Sequence, residues 1–108
     1  MKYSYLGSSG LIVSNLAFGA MTFAAEGAPP FAKVGEQDAA RLVSQTIEAG
    51  VNFFDTADVY SNMHNEEILG RVLGAKRKDV VISTKVGSCA GAHVTERGLN
   101  ARHVHLSV

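Results

Sequence analysis

The sequence has very few of the residues that stabilise many small domains covalently or through a metal. It contains one cysteine, Cys89, which excludes an internal disulfide framework. No second cysteine and no suitably spaced histidine accompanies it, so we expect no metal site. We therefore interpret Cys89 as a free thiol in a reducing compartment, the cytoplasm.

An excess of either charge is also missing. Ten Lys and Arg residues balance ten Asp and Glu residues, and the net charge is zero. This balance gives no electrostatic reason to expect nucleic acid or an anionic membrane as a partner. No apolar run approaches the ~20 residues of a membrane span, and the amino terminus lacks the apolar core of a signal peptide. The expectation is a soluble, cytoplasmic protein.

Predicted strands and helices alternate along the 108 residues. The first segment, YSYLGSSGLIVS (3–14), has two β-prone runs around glycines and is typical of a hairpin. The remaining strands are predicted within 15–21, 51–58 and 79–87, the helices over 37–50 and 65–77, and the start of a third helix after 98.

The second predicted helix carries typical signals at both ends. Asn65 is a suitable N-cap, and Lys76 and Arg77 fall where the helix dipole favours cations at the carboxyl end. Strand–helix alternation of this kind implies parallel strands joined by right-handed crossovers. The sequence therefore predicts an α/β sheet or barrel.

The segment NFFDTADVY (52–60) joins a hydrophobic run to two carboxylates and a phenol. Asp55 lies at the exit of this predicted strand, Tyr60 on the loop beyond it, and Lys85 at the exit of the next strand. Functional groups in parallel α/β folds gather where the strands end. Because the two strands are expected to be neighbours, the three side chains should lie within reach of one another.

These three residues suit a general acid. A free tyrosine, with a pKa near 10, is a poor proton donor at neutral pH. A lysine cation beside Tyr60 favours the phenolate, and Asp55 would keep Lys85 charged and oriented. Positioned acids contribute about 10²–10⁴ in rate. The alternative is an ordinary ion pair beside a tyrosine that only packs, and spacing alone leaves both interpretations open.

Three segments together resemble the amino-terminal third of an aldo-keto reductase: LGSSGLIVSNLAFGAMTF, GVNFFDTADVYSNMHNEEILGRVLG and RKDVVISTKVG. FDTADVY followed by a strand ending in STK is a specific combination. The resemblance implies a (β/α)₈ TIM-type barrel closed by an amino-terminal hairpin. A complete barrel typically needs about 250 residues, so 1–108 would be a partial domain with the hairpin and about three β/α units.

The resemblance implies hydride transfer between a nicotinamide cofactor, usually NADPH, and a small carbonyl compound. Tyr60 would be the proton donor to the carbonyl oxygen. Lys85 would favour the phenolate form of Tyr60, and Asp55 would pair with Lys85.

The same resemblance implies which residues approach the cofactor. The backbone of Gly19, Ala20 and Met21, at the exit of the first parallel strand, matches the segment that does so. Asp55 would contact the ribose side of the nicotinamide.

Two features depart from the family pattern. Met63 stands near a position where the family commonly has glycine, which predicts a rebuilt or mildly strained turn. The family's catalytic histidine at the exit of strand four has no counterpart here, since His64, His93, His103 and His105 are not at strand exits. We expect these histidines on the solvated surface or in helix packing, with His64 at the fringe of the site.

Three interpretations of the whole chain remain open. The first interpretation is the front part of a carbonyl reductase. The second is an interaction module similar to channel-associated β subunits, and the third is a remnant without function. For the isolated chain we expect weak cofactor binding or none, and little or no activity. Open sheet edges would favour self-association or a complementing chain.

Overall fold

A two-stranded hairpin precedes a three-stranded sheet that is flanked by helices. The computed structural model describes residues 1–25, 28–89 and 91–107. The strands are β1 (Tyr3–Tyr5), β2 (Ile12–Ser14), β3 (Phe18–Gly19), β4 (Phe53–Asp55) and β5 (Val81–Ser83). The helices are α1 (Glu36–Glu48), α2 (Asn65–Leu73) and α3 (Ala101–Ser107), with a 3₁₀ turn over Gly74–Asp79.

The hairpin forms as the glycine pattern predicts. β1 and β2 are antiparallel, with Tyr3 opposite Ser14. Gly7 and Gly10 adopt φ of 56° and 77°, a backbone conformation that glycine adopts at little cost. The side chain of Asn52, just before β4, accepts from the backbone N–H of Ser14 at 2.7 Å. This contact attaches the hairpin to the amino end of the parallel sheet.

The second sheet has the order β3-β4-β5, and all of its strands are parallel. Phe18 pairs with Phe54, and Asp55 pairs with both Gly19 and Ser83. The predicted parallel arrangement is therefore confirmed, although each strand is shorter than the segment in which it was predicted. All three strands end at the same edge.

The helix boundaries differ from the sequence prediction at one end of α2. This helix stops at Leu73 because Gly74 has φ of 49°, which interrupts the helical path. Lys76 and Arg77 consequently lie in the 3₁₀ turn and not at the end of α2, which corrects the prediction. Across the described ranges, no helix has the length and apolar character that crossing a membrane requires.

The core lies between the parallel sheet and the faces of α1 and α2. Apolar residues on one face of each helix point into it, and the ring of Phe54 is fully buried. Phe23, from the segment after β3, is also fully buried and packs 5.8 Å from the ring of Phe18, centroid to centroid. Buried members of the core are Ala20, Phe23, Ala39, Val43, Phe54, Ile68, Leu69, Leu73 and Val80.

The long segment between β3 and α1 contributes Ala20 and Phe23 to the core, whereas Met21 and Phe31 are exposed. A parallel bridge joins Phe23 to Val34, and two backbone hydrogen bonds flank the bridge. Glu26 and Gly27 of this segment lie outside the described residues.

Candidate active site

The exits of β4 and β5 bring the three predicted site residues together. Asp55 is the last residue of β4 and pairs with Ser83, the last residue of β5. Lys85 follows two positions later, so its side chain lies beside that of Asp55. Tyr60 stands on the turn between β4 and α2.

The Lys85 ammonium group is the centre of the cluster. Its Nζ donates hydrogen bonds to Asp55 Oδ2 at 2.7 Å and to the Thr56 carbonyl oxygen at 2.6 Å. The Tyr60 hydroxyl oxygen is 3.4 Å from the same nitrogen, and the centre of the Tyr60 ring is 5.1 Å away. The cation is thus held between a carboxylate, a carbonyl and a phenol.

These contacts keep the ammonium charged. Partial burial acts to lower the pKa of Lys85, but hydrogen bonds to Asp55 and Tyr60, and their charges, outweigh burial and raise it. The cluster is nevertheless open to solvent, since half of the Lys85 side chain and 38% of the Asp55 side chain are exposed. Water therefore screens these charges, and a ligand could reach them.

Backbone hydrogen bonds hold the turn that carries Tyr60 against the end of β5. The Thr56 N–H donates to the Ser83 carbonyl at 2.9 Å, and the Asp58 N–H donates to the Lys85 carbonyl at 3.1 Å. The parallel ladder thus continues past the strands into the site. This continuation sets the separation between Lys85 and the turn.

Asn65 has a role that the sequence prediction missed. The residue is fully buried and is the first residue of α2, while His64 occupies the N-cap position without a side-chain capping bond. The predicted cap is therefore wrong. Asn65 accepts from the Thr56 hydroxyl at 2.9 Å and donates to the Ala20 carbonyl at 2.7 Å, so one amide connects the exits of β3 and β4.

The predicted cofactor-approaching segment lies beside Asp55, because Gly19 pairs with that residue in the sheet. The backbone N–H of Ala20, which is buried, donates to the Asp55 carbonyl at 2.9 Å. Gly19 is exposed, and a Cβ atom added there would meet nothing within 4 Å. Met21 is 44% exposed. The backbone at Gly19 is thus accessible to a ligand that also contacts Asp55.

The histidines have different environments. The side chain of His64 is 54% exposed and lies 3.3 Å from Glu67, while His93 and His105 are exposed. His103 differs from them because it is only 2% exposed and its ring faces Asp58. Of the two predicted environments, a solvated surface or helix packing, the solvated surface is therefore wrong for His103. Its position on a short amphipathic helix offered no signal that it would meet a carboxylate.

Comparison with known proteins identifies a family over most of the chain. The sequence model of the Aldo/keto reductase family matches residues 15–108. Two proteins named "Probable voltage-gated potassium channel subunit beta" are 42% identical in Oryza sativa subsp. japonica and 41% identical in Arabidopsis thaliana. Each comparison covers 96% of this chain and 30% of the relative, so the chain spans less than a third of their length.

Solved structures give the same result. An aldo-keto reductase from Bacillus halodurans in its holo form is 38% identical, with a TM-score of 0.68 over 81% of this chain and 26% of that one. A protein from Pseudomonas aeruginosa assigned to the aldo-keto reductases is 33% identical, with a TM-score of 0.75 over 97% of this chain and 38% of that one. The hairpin and the three β/α units accordingly match part of a (β/α)₈ barrel.

Proposed function

Because the chain belongs to the aldo/keto reductase family, we propose that Tyr60, Lys85 and Asp55 form the proton-donating site of a nicotinamide-dependent carbonyl reductase. The observation that supports this proposal is the contact of one ammonium group with both the Asp55 carboxylate and the Tyr60 hydroxyl. A structural ion pair alone would not require a phenol at this distance.

Each side chain then has a separate task. Tyr60 donates its hydroxyl proton to the oxygen of a bound aldehyde or ketone. Lys85, which remains a cation, stabilises the negative charge left on the phenol oxygen. Asp55 and the Thr56 carbonyl orient the ammonium group, so that it does not have to reorganise during the transfer.

The surroundings fit a nicotinamide cofactor, with NADPH as the expected form. When bound, this group supplies the hydride that reduces the carbonyl carbon. Gly19 offers an open backbone approach, and the exposed part of the Asp55 carboxylate can accept a hydrogen bond from a ribose hydroxyl. Met21, in the same segment as Gly19, has an exposed apolar side chain.

The isolated chain should bind NADPH weakly and turn over slowly. Half of the Lys85 side chain is in water, where electrostatic interactions are much weaker than in an enclosed site. The reductase of this proposal would need further surfaces that exclude water from Tyr60 and Lys85. Such surfaces would come from the barrel segments that the relatives possess in addition.

A single-turnover assay tests the proposed role of Tyr60. Excess chain is mixed with NADPH and a reactive aromatic aldehyde, and loss of NADPH absorbance is followed for wild type, Tyr60→Phe and Tyr5→Phe. We expect slow turnover in wild type and a decrease of about 10²-fold or more in Tyr60→Phe, since a positioned acid is lost. Tyr5, which is 69% exposed in the hairpin, is the matched control and should leave the rate unchanged.

Two results would contradict the proposal. One is wild-type turnover no faster than the protein-free reaction, and the other is equal rates in Tyr60→Phe and wild type. The potassium channel relatives support a second candidate, an interaction subunit that shares the fold. A stoichiometric partner that binds wild type and Tyr60→Phe equally, together with absent turnover, would favour that candidate.

A further inference from the structure

His103 is a buried titratable residue outside the proposed proton-donating site. Its side chain is 3% exposed, and the Asp58 carboxylate that it faces is 9% exposed. Ring nitrogen Nδ1 is 2.8 Å from the Gly98 carbonyl oxygen. The other nitrogen, Nε2, is 3.7 Å from Asp58 Oδ2 and makes no hydrogen bond among the described residues.

Both neighbours of the ring are acceptors. The Gly98 carbonyl can only accept, so Nδ1 carries a hydrogen. A neutral ring would then direct the lone pair of Nε2 towards a buried carboxylate. A protonated ring instead directs an N–H group towards Asp58, which pairs two buried charges that would each be costly alone.

The other charged groups around the ring favour the same protonation state. A cavity of about 280 Å³ adjoins the ring and is lined by Asp58 from the β4–α2 turn, Glu66 from α2 and Glu96 from the loop before α3. The remaining lining residues, apart from His103, are Met63, Leu106 and Ser107. The three titratable groups that line this cavity together with His103 are all carboxylates. No cluster in the described ranges could hold a metal ion as the counter-charge.

Asp58 connects this buried pair to the site. Its N–H donates to the Lys85 carbonyl at 3.1 Å, and its Oδ2 is 3.4 Å from the Ser107 hydroxyl. We propose that His103 is a positioning residue: its protonated ring neutralises Asp58 and thereby holds the Tyr60 turn against the end of β5. The importance of the His103–Asp58 contact for catalysis rests on the function proposed above, but the contact itself does not.

NMR spectroscopy of the complete ¹⁵N-labelled chain tests the contact without any cofactor. Long-range ¹H–¹⁵N spectra distinguish protonated from bare ring nitrogens, and His103→Gln assigns the signals. We expect both His103 nitrogens to be protonated at neutral pH. A bare Nε2 in the folded chain at neutral pH would overturn the proposal.

Hydrogen exchange at the Asp58 amide tests the positioning step. Protection of this amide, which bonds the Lys85 carbonyl, should fall at least tenfold in His103→Gln, since removing one partner of a buried ion pair leaves the other uncompensated. The loss should be largely recovered in the double variant His103→Gln, Asp58→Asn, because no charge then needs neutralising. In wild type, the protection of the Asp58 amide, corrected for the intrinsic exchange rate at each pH, should fall as His103 loses its proton.

A merely structural histidine gives a different pattern. In that case the double variant would be no better protected than His103→Gln, and protection would not follow the titration of His103; either result overturns the proposal. Failure of the Tyr60→Phe assay would leave these NMR results unaffected. The two proposals can therefore fail separately.

Discussion

Three successive residues in the turn before α2, none of them glycine, adopt left-handed backbone conformations. Ser61, Asn62 and Met63 have φ of 52°, 53° and 71°. The buried Ser61 hydroxyl donates to the Phe23 carbonyl at 2.8 Å and accepts from the Ala25 N–H at 3.1 Å, which holds this conformation in place. Asparagine tolerates it better than most residues, whereas an unbranched apolar residue such as Met63 does not.

Met63→Gly should therefore stabilise the chain. A left-handed residue with a Cβ costs roughly 1–2 kcal/mol, and glycine removes that cost while adding conformational entropy to the unfolded chain. We expect the free energy of unfolding in urea to rise by about 0.5–1 kcal/mol. Met63→Ala is the matched control, since it removes the half-exposed side chain but keeps the Cβ. A stabilisation by alanine as large as that by glycine would contradict the argument.

At the scale of elements, an ion pair joins the start of α1 to the side of α2. Arg71 Nε donates to Glu36 Oε1 at 3.1 Å, and Arg71 Nη2 donates to Glu36 Oε2 at 2.9 Å. The hydrogen bond from Arg71 is the main cause that lowers the pKa of Glu36 below its ordinary value of 4.5; slight burial opposes it, and the Arg71 charge adds to it. The guanidinium fork thus links the two crossover helices at the surface.

This pair gives α1–α2 packing an acid-sensitive component. Because the pKa of Glu36 is lower in the folded than in the unfolded chain, the stabilisation is complete above 4.5 and is lost as the pH falls through the folded-state pKa. Thermal unfolding followed by circular dichroism from pH about 6 to 3 should show a smaller decrease in Tm for Glu36→Gln than for wild type. The effect should be small, because the pair is exposed to solvent.

Asp38→Asn is the control for lost charge in the same helix. Asp38 pairs with Arg41 within α1 and not across to α2. This variant should retain the acid-dependent decrease in Tm seen in wild type. Parallel curves for wild type and Glu36→Gln would contradict the assignment to Glu36.

At the scale of the whole molecule, the parallel sheet ends in two open edges. In the order β3-β4-β5, neither outer strand pairs with a further strand among the described residues. Beside β3 lies an open cavity of about 330 Å³ between the strand and α1, with Leu16, Phe18, Leu42 and Val51 in its lining. Leu16 is 63% exposed there. Unpaired edges beside apolar surface favour association with another chain.

The purified chain should therefore self-associate as its concentration rises. Sedimentation velocity should show an increasing weight-average sedimentation coefficient, and Leu16→Lys should reduce this increase, because a charge at an edge opposes pairing. Leu6→Lys, at an exposed position in the hairpin turn, is the matched control and should behave as wild type. A monomer at every concentration, or equal effects of both variants, would contradict an interface at β3.

The residues that the sequence predicted correctly share one property: their positions follow from local pattern. Alternation of apolar strands and amphipathic helices implied parallel strands, and parallel strands end at one edge, so the proximity of Asp55 and Lys85 could be predicted. The resemblance also predicted strain at Met63. The N-cap assigned to Asn65 failed because local capping preference competed with a buried amide network that forms only after folding.

The sequence by itself determined the order of elements, the shared edge of the parallel strands and the chemical types that meet there, because periodicity and glycine placement act over a few residues. Tertiary structure alone decided that Asn65 bonds Thr56 and Ala20, and that His103 is buried against Asp58. Burial of a polar group depends on surfaces far apart in the chain. The free energy of such a group is set by partners that packing brings to it.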